Sequence, residues 1–125
     1  EEAQTLLASY ERKQQEVKAQ SQRIVDHAKE EARIAGDAAK KDITKYAGEV
    51  LAAVDSGDEE AFSRAAHSLT GVSLNIGAIG IVEELAAYRE AAPLGEVSIE
   101  PFREAVAACL LVVDDLYDAL VSEAQ

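Results

Sequence analysis

The residues with the clearest chemical potential fall in one short stretch: Ser63, Arg64, His67, Thr70, Gly71 and Leu74. A neutral imidazole is a competent nucleophile near pH 7, and a phosphoryl group attached to it stays reactive enough to move on. Advancing 100° per residue, His67 shares a helix face with the other five. It stands out of register with the apolar stripe Phe62, Ala65, Ala66, Leu69, Val72 or Ser73, and Ile76, so the imidazole is expected at the surface near the middle of its helix. Gly71, one turn on, costs ~1 kcal/mol relative to Ala in a helix interior. Clearance for another protein's active site would account for it. Arg64, one turn before, would steady phosphoryl oxygens, and Ser63 and Leu74 would belong to a docking surface.

The pattern around this stretch predicts the elements that carry it. A helix over about 38–54 has Ile43, Tyr46, Ala47, Val50 and Val54 on one face, and Asp55-Ser56-Gly57 ends it. Asp58 is placed to cap the histidine-bearing helix, with Glu59 and Glu60 favourable in its first turn. Gly77-Ala-Ile-Gly80 reads as a break. A third helix follows with Ile81, Val82, Leu85, Tyr88 and Ala92. The loop Pro93-Leu-Gly-Glu-Val leads to a last helix opened by Ser98, with Pro101 in its first turn. Its stripe is Phe102, Val106, Cys109 or Leu110, Val113, Leu116 or Tyr117, and Leu120. Short connections between amphipathic helices imply an all-α, antiparallel four-helix bundle.

Composition supports the class. Hydrophobic residues make up 48%, enough for a core, while aromatics are few and only two prolines interrupt 125 residues. One cysteine excludes an intrachain disulfide and a multi-cysteine zinc site, and fits a reduced, cytoplasmic setting. No apolar run approaches the ~20 residues that span a bilayer. Charge is unevenly shared. Residues 1–43 hold nine acids and eight bases, whereas 44–125 hold fifteen acids against four bases, a net of −11. So acidic a surface repels phosphate backbones, which disfavours nucleic acid as a partner. The shift also suggests two segments, 1–43 and 44–125, with different roles.

The first segment reads as one long, highly charged helix with a sparse apolar stripe. A strict heptad fails at Lys13 and Gln20. An eleven-residue spacing does better, with Leu6, Val17, Ala28 and Ala39 in one row and Ile24, Ala35 and Tyr46 in another. Such repeats give a nearly straight or right-handed coiled coil, and a stripe this thin needs a partner to be stable. The run EEAQTLLASYERKQQEV, followed by RIVDHAKEEA, resembles the peripheral-stalk b subunit of bacterial ATP synthases. That likeness covers residues 1 to about 43 and implies a structural, dimerising rod, with self-association through this segment.

A second resemblance concerns residues 40–122. The constellation AAHSLTGVSLNIGA, from Ala65 to Ala78, resembles the signature of histidine phosphotransfer (HPt) domains, as does the preceding Ser-Gly-Asp turn. The resemblance implies a phosphocarrier in a two-component phosphorelay. His67 would take a phosphoryl group from a receiver-domain aspartate and pass it on. The partners would be a response-regulator receiver domain or a hybrid sensor kinase. No cofactor or metal is expected on this chain, because the receiver would supply the Mg²⁺. No autonomous kinase activity is expected, since no nucleotide-binding motif is present. The family's usual lysine is replaced here by Thr70, which brings a hydroxyl but no charge. Two alternatives therefore stand beside the relay: a phosphorylation-silent adaptor that binds a receiver or kinase, and a structural stalk or oligomerisation element.

Other polar residues have plainer readings. His27 lacks a second ligand at useful spacing and reads as solvated surface. Cys109 lies on a core stripe as a small hydrophobe. Glu83-Glu84 and Asp114-Asp115 diverge by 100° along a helix, which suits solvated faces better than metal pairs.

Overall fold

A computed structural model of the chain describes residues 1–92 and 97–123, and the side chain of residue 123 is not included. The expected loop at Pro93 to Glu96 lies outside the described residues. The described residues form four helices: α1 (Glu2–Ser56), α2 (Glu59–Ile76), α3 (Ile79–Ala91) and α4 (Glu100–Glu123). No strand occurs among the described residues. The class expected from sequence is all-α, and the structure is all-α.

The expected boundary near residue 43 is not marked by any break. α1 runs unbroken for 55 residues, about 80 Å at 1.5 Å per residue. No proline interrupts it, and its glycines, Gly36 and Gly48, cost less than the interior hydrogen bonds they leave intact.

The turns form where backbone chemistry requires them. Gly57 and Gly77 adopt φ of 71° and 78°, the left-handed region where a Cβ is disfavoured. At the first, the amide of Asp58 donates to the carbonyl of Ala53 (3.1 Å), and at the second Ala78 donates to Ser73 (2.8 Å), the bonding that closes a helix on a glycine. Asp58 caps α2 as expected: its carboxylate accepts from the amide of Ala61 at 3.0 Å. α3 starts two residues before the expected Ile81, so Gly80 lies inside it and the break is only Gly77-Ala78.

α1 packs against α2 and α4, and α3 closes the ring by packing on the same two. Neighbours run antiparallel. The start of α2 meets the end of α3 through Phe62 and Tyr88, with ring centroids 5.8 Å apart. The core takes Ile43, Ala47 and Val50 from α1, Ala65, Ala66 and Leu69 from α2, Ile81 and Leu85 from α3, and Phe102 from α4. Alanines at this contact let the helices approach closely. The hydroxyl of Ser73 is also fully buried and has no hydrogen-bond partner among the described residues.

α4 is longer than α2 and α3, and its second half overhangs them along α1. There Gly36 faces Val113, whose Cγ1 would lie 3.4 Å from a Cβ at position 36. The Lys40 ammonium meets the Asp114 carboxylate at 2.5 Å. The hydrogen bond to Asp114 raises the pKa of Lys40; desolvation works against it, and the charges of Asp114 and Asp37 add smaller upward contributions. The overhang explains why Ile76 and Leu120, expected on core stripes, are exposed: they lie where the ring of helices has run out; of the alternatives Leu116 and Tyr117, Tyr117 is the half-buried one. Phe102→Ala should lower unfolding free energy by about 3–5 kcal/mol. Ser73→Ala should be neutral or stabilising, because it removes an unpaired buried hydroxyl. Urea denaturation followed by circular dichroism checks both.

Candidate functional site

The structure places the sequence-derived residues largely where periodicity put them. His67 is exposed near the middle of α2, and Ser63, Arg64 and Gly71 are exposed on the same side. Thr70 is half-buried, and Leu74 is 55% exposed. A Cβ built on Gly71 would meet nothing within 4 Å. Among the described residues, His67, Arg64 and Thr70 form no side-chain hydrogen bond or ion pair. Nothing therefore orients the imidazole or fixes its tautomer. The face is open, but exposure and a missing side chain are properties of many solvated helices.

The other candidate residues are equally plain. His27 contacts Glu31 at 3.0 Å on an exposed turn of α1. Cys109 is half-buried, and burial raises its thiol pKa, which keeps it protonated and poorly nucleophilic. Among the described residues, no group of His, Cys, Asp and Glu side chains is placed to hold a metal ion. No described helix is long and apolar enough to cross a membrane.

The most extensive surface feature is on α1. Leu6 is 72% exposed, Tyr10 and Val17 60%, and Ile24 64%. At 100° per residue these four, with Ala3, Leu7, Val25 and Ala28, lie in an arc of roughly 120°. That arc continues through Ala32, Ala35, Gly36 and Ala39 to the buried Ile43, Val50 and Ala53. Gln14 and Ser21 are the polar residues near its centre, and Ile34 lies opposite. One face thus serves the whole helix. It is buried from Ile43 onward, partly covered between Ala32 and Ala39, where Ala35 is still exposed, and open before that. At the changeover it widens into an apolar groove between α1, the α2–α3 turn and α4, with Ala35, Ala39, Ile76, Ile79, Val112 and Leu116 among its walls.

Comparison with known proteins points the same way. Over 55 residues the chain is 54% identical to ATP synthase subunit b 1 of Ruegeria sp. (strain TM1040), covering 44% of this chain and 30% of that protein. Over 66 residues it is 52% identical to ATP synthase subunit b 1 of Roseobacter denitrificans, covering 53% and 34%. Over 104 residues it is 36% identical to ATP synthase subunit b 1 of Jannaschia sp. (strain CCS1), covering 83% and 55%. The likeness to subunit b is supported. The chain spans between about a third and just over half of the length of these relatives. No protein-family model matches it, and no solved structure does.

These matches overturn the phosphorelay reading. A match of 104 residues cannot be confined to residues 1–43. It extends into the helices on which the HPt resemblance rested, and the matched proteins are ATP synthase subunits. The assignment as a histidine phosphotransfer protein is therefore corrected, and with it the receiver-domain and sensor-kinase partners. The physical reason is specificity: a solvent-facing histidine beside a glycine is cheap to produce on an alanine-rich helix, and the lysine expected at position 70 is absent.

Sequence reasoning missed the groove and the Lys40–Asp114 pair, because both need the relative placement of α1 and α4. The eleven-residue spacing was the available signal for the open face. If Gly71 serves no contact within the fold, Gly71→Ala should stabilise the chain by up to about 1 kcal/mol. His67→Gln should change stability by less than about 0.5 kcal/mol. Thermal unfolding of the two variants tests this.

Proposed function

We propose that this chain is a structural stalk element: a long helix that pairs through its open face, ending in a packed four-helix bundle, without catalytic activity of its own. The observation that carries this reading is the row of large apolar side chains left bare on α1, Leu6, Leu7, Tyr10, Val17 and Ile24. A monomeric protein rarely leaves a contiguous apolar strip of this length uncovered. Charged and polar side chains make up most of the rest of the helix surface, including Arg33 between Glu30 and Asp37, with Ile34 the one large apolar exception. The cytoplasmic setting expected from composition fits that surface.

The relatives named as ATP synthase subunit b support the reading, and by analogy the assembly served would be an ATP synthase. The eleven-residue spacing favours a helix of the same pattern as the partner, because identical repeats keep in step along a shared, nearly straight contact. The near balance of acids and bases in residues 1–43 leaves little net repulsion between two such helices.

The chain should sediment as a concentration-dependent dimer. Val17→Glu and Ile24→Glu should each shift it to monomer while leaving the unfolding transition of the packed helices unchanged. A wild-type chain that stays monomeric at high micromolar concentration contradicts the proposal.

A further inference from the structure

The open face of α1 does not stop at a solvent-filled end. It runs into the groove at the α2–α3 turn, whose rim keeps Ile76, Ile79, Val112 and Leu116 exposed although each is apolar. Beyond the turn, the same arc of α1 is filled by the chain's own helices: Ile43, Ala47, Val50 and Ala53 are buried beneath them. A partner helix following this face from Leu6 therefore meets the turn and finds no bare α1 past it.

We infer that the groove at the α2–α3 turn is the end-stop of the pairing face, receiving the α1 helix of a second copy of this chain and fixing how far the pairing extends. This rests on the stalk reading and adds where the contact ends. The occupant is identified by continuity and charge. The groove is collinear with the strip that carries the eleven-residue spacing, so what lies on the strip reaches the groove. The helix of residues 1–43, with nine acids and eight bases, brings little net charge to it. Within the groove Ala35 and Ala39 of α1 present small side chains, which allow a second helix to come close.

The test uses full-length chain and sedimentation equilibrium. Ile79→Glu places a carboxylate in the groove, and the first turn of α3 tolerates it, because acidic residues are favoured at helix N-termini. Leu116→Glu does the same from α4, at a position 66% exposed. Each should weaken the dimer roughly tenfold, since a charge would be desolvated at the contact. Leu74→Glu, equally apolar to acidic but on the His67 face, should leave the dimer constant unchanged. Circular dichroism melts confirm that each variant is folded. If both groove variants dimerise like wild type while Val17→Glu does not, the end-stop is refuted and the stalk reading survives. If Leu74→Glu weakens the dimer as much as Ile79→Glu does, the pairing surface lies elsewhere on the packed helices and the end-stop is refuted too. Loss of dimerisation in no variant, Val17→Glu included, refutes both readings.

Discussion

One apolar face of α1 determines how the rest of this molecule is arranged. It runs along a 55-residue helix and must be covered along its length if the chain is to avoid exposing a hydrophobic strip. The chain covers the second half itself, by folding α2, α3 and α4 onto Ile43, Ala47 and Val50. It leaves the first half bare. The hydrophobic effect that closes the core is thus the same force that calls for a partner upstream, and the two regions differ only in who supplies the cover.

The helices that cover the face are held by few devices. Two glycine turns and the Asp58 cap fix where α2 begins and ends. Phe102, the largest buried side chain, ties α4 to the other three helices. Gly36 and the Lys40–Asp114 contact keep the overhanging part of α4 against α1. That pair is solvent-accessible, so its value is orientation more than stability. The result is a rod whose end is thickened and strongly acidic.

Much of this was legible in the residues. The all-α class, the Asp58 cap, the stripe of α2 and the exposure of His67 all follow from periodicity and capping chemistry, which act over a few neighbouring positions. What periodicity could not supply was length and pairing. Ile76 and Leu120 repeat at core spacing, yet they are exposed because α2 and α3 end before α4 does. The groove is invisible in sequence for the same reason. The functional misreading had a different origin. His67, Gly71 and the Gly77-Ala78 turn are real features in the expected places, but none is specific to phosphoryl transfer. The sparse row Leu6, Val17, Ala28, Ala39 looked like the weaker signal, and it is the one the relatives support.

Amide hydrogen exchange of the full-length chain at low and high concentration tests the central claim most directly, because exchange reports cover residue by residue. The account predicts that protection of residues 3–31 rises with concentration while that of residues 43–53 is already high and does not change. Concentration-independent exchange throughout residues 3–31, or protection that rises equally over residues 43–53, would contradict it.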